Sequence, residues 1–240
     1  MDKKRKVDRR RLSDLPKPAI QRWWRFKSRR LAQRLVRAYM RRKLPRTERK
    51  RRVASEATFE TVKHFAIKNE NGKFKGVSTL FNIALYLLIA DRDIQAVKID
   101  ALTHPNEWNR KLSARVMLLT IYEWDADKVS GRELKEALEL MLISEDLKRE
   151  AVGALRRLRV IQRKANKKFM HIRNAAIAHR DPNALVQYRA IRDLRVEEVM
   201  EIGMEFFAAV ENFMNVLTKL MLAGNTLPSF LKQWSAATQE

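Results

Sequence analysis

Cysteine is absent from the chain of 240 residues. That excludes disulfides, thiolate metal sites and a cysteine nucleophile, and it is compatible with a cytoplasmic, reducing setting. Glycine and proline are sparse, six of each, so few positions force the backbone out of regular structure. With few β-branched runs beside them, the composition favours helix throughout and an all-α fold. Histidine is rarer still. His64, His104, His171 and His179 are the four present, and none stands at ligand spacing from carboxylates, so neither a metal nor any other cofactor is expected. Long apolar runs are missing too. The most apolar stretch, residues 77–90, is too short to span a bilayer and suits a buried helix. The charged N-terminus has no apolar stretch behind it, so no secretory signal is expected.

Acidic residues are in deficit, with 28 Asp and Glu against 51 Lys and Arg for a formal charge of +23. The excess is local. Residues 1–52 hold 23 Lys and Arg against four Asp and Glu, a net of +19, and the rest of the chain carries the other +4. A nearly balanced body therefore bears a cationic arm, and such an arm seeks a polyanion, either nucleic acid or an anionic membrane surface. Lys3, Lys4, Arg5, Lys6 and Val7 resemble a monopartite nuclear-localisation signal, but a plain electrostatic tail ranks above targeting as their explanation.

Pro16 and Pro18 interrupt any helix that starts earlier. Over residues 19–43, Ile20, Trp24, Leu31, Leu35 and Tyr39 fall on one helical face among many arginines. Arg22, Trp23, Trp24, Arg25, Arg29 and Arg30 interleave rings with cations, which suits stacking on unpaired bases together with phosphate contact. The same pattern suits an interfacial membrane helix, or a stripe docked on the protein's own core. Nucleic acid ranks above membrane because a phosphodiester-directed motif lies downstream.

Beyond Pro45, helices are expected over residues 53–68, 77–90 (capped by Ser78 or Thr79) and 94–102, with residues 91–93 as a polar boundary. Four more follow. Residues 107–124 place Trp108, Leu112, Val116, Leu119 and Trp124 as apolar positions, and residues 132–142 form a short helix. Residues 145–173 and 195–222 are long and strongly periodic, the pattern of an antiparallel bundle. The tail, with Leu227, Phe230 and Trp234, packs on the body or on a partner. The resulting organisation is a basic nucleic-acid-engaging arm (1–52), a helical accessory segment (53–105), a bundle (106–225) and a C-terminal tail (226–240).

The chemistry concentrates in residues 171–183, where the second long helix gives way to Asp181-Pro182-Asn183. Arg173 offers a fixed cationic fork for a phosphate, and His179 a group that exchanges a proton near neutral pH. On one uninterrupted helix, a six-residue step would leave these two side chains about 120° apart and about 9 Å apart along the axis. Either the helix changes course at the motif or a second protomer completes the site. An arginine and a histidine at a helix end also suit carbonyl binding and a salt-bridged turn. His179-Arg180-Asp181 matches a kinase catalytic loop in three letters, but no glycine-rich loop or Asp-Phe-Gly accompanies it.

The string Arg173-Asn174-x-x-x-x-His179-Arg180 resembles the signature of the HEPN superfamily, in the branch that includes abortive-infection proteins. The resemblance implies a HEPN-type helical bundle, a homodimer with motifs facing across its two-fold axis, and metal-independent cleavage of RNA. His179 would be general acid/base, Arg173 would stabilise the phosphorane, and Asn174 would orient the histidine or bind phosphate. Arg180 would hold a neighbouring phosphate. A role in phage defence or as a toxin is implied, with an antitoxin or defence-system protein as a possible partner. The alternative is a non-catalytic nucleic-acid-binding or dimerisation protein. A peripheral membrane protein anchored by Trp23 and Trp24 is a third reading.

Overall fold

The computed structural model describes residues 17–70, 74–124, 131–177 and 181–238, and the side chains of all these except 17–30, 50–52 and 131–132. Among the described residues the secondary structure is helical: α1 (Lys17–Lys68), α2 (Lys75–Thr103), α3 (Glu107–Glu123), α4 (Gly131–Leu140), α5 (Glu145–Ile172), a π-helical turn (Arg173–Ile177), α6 (Ala184–Asp193), α7 (Val196–Gly224) and α8 (Leu227–Ala237).

The all-α fold is as expected, and its centre is the packing of α2, α3, α5 and α7. On α5, Ala151, Leu155, Leu158, Ala165, Phe169 and Ile172 are buried at three- and four-residue steps. On α7, Val199, Ile202, Phe206, Val210, Phe213, Val216, Leu217 and Leu220 do the same, so the two faces meet along their length. By length and composition α7 is apolar enough to cross a membrane. In the fold it is the core helix, with Phe206 and Phe213 sealed from solvent.

Two expected breaks do not occur. α1 runs 52 residues through Pro45, about 78 Å at 1.5 Å per residue. Proline removes one ladder bond, but the flanking Leu, Arg, Lys and Ala are strong helix formers. Pro18 lies in the first turn, where its missing N–H costs nothing. α2 continues through residues 91–93 because Arg92 and Asp93 face outward. Asp91 sits on the inner edge, its carboxyl raised above the usual range by burial and held by Gln95. The expected edge of the arm at residue 52 thus falls inside α1, and that at residue 105 between two helices that pack together.

The apolar side of α3 is also different. Ala114, Met117, Leu118 and Ile121 enter the core, while Trp108, Leu112 and Leu119 are exposed. Two apolar faces share this helix, and the bulkier one is turned outward. On α1, Leu31, Leu35 and Tyr39 are each more than half exposed, so this part of the stripe does not dock on the core. In the tail, Leu227 and Trp234 are exposed, and α8 packs instead through Phe230, edge-on to Phe74, and through buried Ser229 and Gln233. Neither Ser78 nor Thr79 caps α2, since Ser78 Oγ donates to the Asn69 carbonyl and the helix begins at Lys75.

Candidate functional site

Arg173 is the residue at which the long helix changes its path. α5 ends at Ile172, and Arg173–Ile177 continue as a π-helical turn, a form that tends to mark functional positions inside helices. Its small residues explain why it fits: Ala175 and Ala176 are buried against the bundle. The carbonyls set free by the altered ladder are taken up by other groups. Asp181 N–H donates to the Ala175 carbonyl at 3.0 Å, and Arg115 Nη1 of α3 donates to the Ala176 carbonyl at 3.4 Å. Asp181 then accepts from Asn183 N–H at 2.8 Å. Asn183 caps α6 by accepting from Leu185 and Val186. Residues 181–183 are turn chemistry, as the sequence suggests.

The Arg173 side chain is about one-third exposed. Its guanidinium lies 5.6 Å from the centre of the Tyr122 ring, within cation–π range. Its Nη2 is 3.9 Å from Glu123 Oε1, and its Nε is buried with no hydrogen-bond partner among the described residues. Tyr122 is fixed from beneath, its hydroxyl donating to the Ala165 carbonyl at 3.1 Å. Burial pushes that hydroxyl up to about 12, against the opposing pull of Arg173, so Tyr122 stays neutral and cannot serve as a base near pH 7. Asn174, next along the turn, is exposed.

His179 and Arg180 lie outside the described residues, as do the side chains of Arg22, Trp23, Trp24, Arg25, Arg29 and Arg30, whose backbone belongs to α1. His171 is exposed at the end of α5. The acidic face of α7 forms ion pairs within the chain, Glu198 with Lys168 and Arg195 and Glu205 with Lys164.

Sequence reasoning missed Arg115, Tyr122 and Glu123. A signal was present: Trp108, Arg115 and Tyr122 recur every seven residues, which sets them on one face of α3. That face meets the motif. Arg115 lies over the Trp108 ring at 5.9 Å while binding the π-turn, so exposed indole, arginine and turn form one continuous surface. The place sets two guanidinium groups, Arg115 and Arg173, beside exposed apolar side chains. Comparison of the chain with known protein families, curated proteins and solved structures yields no match.

Proposed function

We propose that this chain is a metal-independent endoribonuclease of HEPN type, with a site shared between two protomers. The observation that carries the reading is the setting of Arg173. It stands where the helix abandons its α path, with a buried Nε that no group among the described residues satisfies. An unpaired buried donor of a charged group is costly and gains most when an anionic oxygen arrives.

In this reading the ribose 2′-oxygen attacks phosphorus, the bond to the 5′-oxygen breaks, and the products are a 2′,3′-cyclic phosphate and a 5′-hydroxyl. His179 accepts the 2′ proton or returns one to the departing 5′-oxygen. Arg173 holds the charge that builds on the equatorial oxygens. Asn174 binds a phosphate oxygen or orients the imidazole. Glu123 occupies Arg173 loosely, at 3.9 Å, and gives way to phosphate.

Trp108, Leu112 and Leu119 form an exposed ledge next to the turn. Such a ledge supports a two-fold dimer in which two copies of the motif face one another. A role in phage defence or as a toxin, with a protein that restrains it, fits an RNA-cleaving activity.

The second reading is a non-catalytic RNA-binding protein. It is favoured by the proximity of Glu123 to Arg173 and by the length of basic α1. Incubating purified protein with RNA in EDTA separates the two. The nuclease reading expects cyclic-phosphate ends, lost in Arg173→Ala and His179→Ala by about a hundredfold or more while RNA binding persists. Cleavage that survives both substitutions removes the nuclease reading.

A further inference from the structure

A second cationic place lies away from the π-turn. The middle of α1, the α2–α3 turn, the start of α3 and the α6–α7 junction enclose a cleft of about 630 Å³. Among the described residues six cationic side chains line it, Arg34, Arg37, Arg110, Lys111, Arg192 and Arg195, against three acidic ones. Most of the charges that can pair already do. Lys111 Nζ meets Glu107 Oε1 at 2.9 Å, Arg192 and Asp193 pair at 2.7 Å, and Arg195 turns to Glu198 at 2.8 Å.

Arg110, Arg37 and Arg34 are different. Arg110 is only 8 % exposed, yet its Nη1 donates to neutral oxygens, the carbonyls of His104 and Pro105 at 2.8 and 3.3 Å. Among the described residues no carboxylate comes within ion-pair distance of Arg110, Arg34 or Arg37. Burial, and then the like charge of Arg37, pull the Arg110 guanidinium below its usual range, with Glu107 and Glu197 opposing. A buried cation with no carboxylate in ion-pair contact gains from a further anion that reaches it.

We propose that this cleft binds phosphate groups, with Arg34, Arg37 and Arg110 as the principal partners. The chemistry of the walls narrows the ligand. Guanidinium forks match phosphate oxygens two at a time. Among the described residues no aromatic side chain lines the cleft to stack a base. The excess of cations and the volume suit an anion of several charges, larger than a single phosphate ion. The phosphates come either from a free oligophosphate or from consecutive links of a nucleic-acid backbone held between α1 and the bundle. The site stands independently of RNA cleavage at Arg173.

The test is calorimetric titration of the full chain at fixed ionic strength with two probes. One is sodium tripolyphosphate. The other is a 5′-hydroxyl 2′-O-methyl RNA, which lacks the attacking hydroxyl and cannot be cleaved by the proposed route. The double variant Arg34→Gln/Arg37→Gln removes two cleft cations. Arg41→Gln/Arg42→Gln removes two exposed cations of the same helix that do not line the cleft, and so measures diffuse attraction alone. We expect the cleft pair to weaken binding of at least one probe by about tenfold or more, and the control pair by about threefold at most. A selective loss for tripolyphosphate assigns a free oligophosphate, and a selective loss for the RNA assigns a backbone. Equal losses from the two pairs, or no binding of either probe by the wild type, overturn the proposal. Because no readout involves cleavage, an inactive protein with a working cleft and an active one without it are told apart.

Discussion

Gln233 Oε1 accepts a hydrogen bond from the backbone N–H of Gly76 at 3.1 Å, across 157 residues of chain, and a second from Val77 at 3.4 Å. The first turn of α2 is therefore capped by α8, since its own N-cap residue, Phe74, has no side-chain acceptor. The approach requires glycine: a Cβ at Gly76 would lie 2.7 Å from Met141 Cγ and 3.1 Å from the Gln233 oxygen. Gln233 Nε2 completes the arrangement by donating to Ser229 Oγ at 3.1 Å. Gln233→Ala leaves two amides at a buried helix end without their acceptor, a loss of about 1–3 kcal/mol in urea unfolding. Gln233→Glu keeps an acceptor and places a negative charge at a helix N-terminus, so it retains most of the stability. Equal destabilisation by both would show that Gln233 matters by packing and not as a cap.

Tyr122 gives a pH signature. Burial raises its hydroxyl to about 12 from the ordinary 10.0, so the folded state holds this proton more tightly than the unfolded chain does. The contribution to stability is complete below the unfolded value. It is lost as pH rises through the interval up to the folded value. Spectrophotometric titration is expected to show one of the four tyrosines ionising last, and Tyr122→Phe to remove that late step. Tyr122→Phe also flattens the fall in stability over this alkaline window. If the last step survives the substitution, the hydroxyl is not where its bond to Ala165 puts it.

The outward ledge of α3 makes the dimer testable. Leu112 is 47 % exposed between Trp108 and Leu119, so Leu112→Glu leaves the core of the bundle untouched. Light scattering on the wild type is expected to give twice the chain mass, and the variant to give the monomer mass. RNA cleavage falls with it by about a hundredfold if the site is composite. A monomeric wild type, or a monomeric variant that cleaves at full rate, sinks the shared site while leaving the Arg173 chemistry to be judged separately.

Legibility in the sequence follows the number of partners an element has. α5 and α7 each bury one continuous stripe, so periodicity finds them to within two residues of their ends. α3 has two apolar faces, and its side-chain sizes favour the wrong one: Trp108 and Leu112 outweigh Ala114 and Met117, yet the smaller pair lets α2 and α7 come close. Breaks are overestimated at Pro45 and at residues 91–93 because local cost is visible in a sequence and compensating packing is not. Glu48–Lys98 and Glu56–Arg92 tie α1 to α2, and no window of ten residues contains such a pair. The same holds at the site. Arg173 can be singled out from its neighbours in sequence, whereas Arg115 and Tyr122 join it only through the tertiary fold.

Leu142 carries a backbone strain whose relief can be measured. Its φ is 55°, in the left-handed region that disfavours a side chain with a Cβ. The surrounding bonds explain why it is held there. Ile143 N–H donates to the Leu138 carbonyl at 3.1 Å and Leu142 N–H to the Glu139 carbonyl at 3.2 Å, the pair that closes a helix in a Schellman motif, with Leu142 at the position glycine prefers. Ile143 and Leu138, both buried, supply the apolar contact that accompanies the motif. Leu142 itself is 52 % exposed, so trimming it forfeits little burial. Leu142→Gly removes about 1 kcal/mol of strain and loses part of that gain to the greater freedom of glycine in the unfolded chain. The net expectation is a small rise in Tm, about 1–3 °C for a chain of this size. Leu142→Ala retains the Cβ and with it the strain, so it is expected to give no rise. A glycine variant no more stable than the alanine variant would mean that the left-handed turn costs this chain nothing.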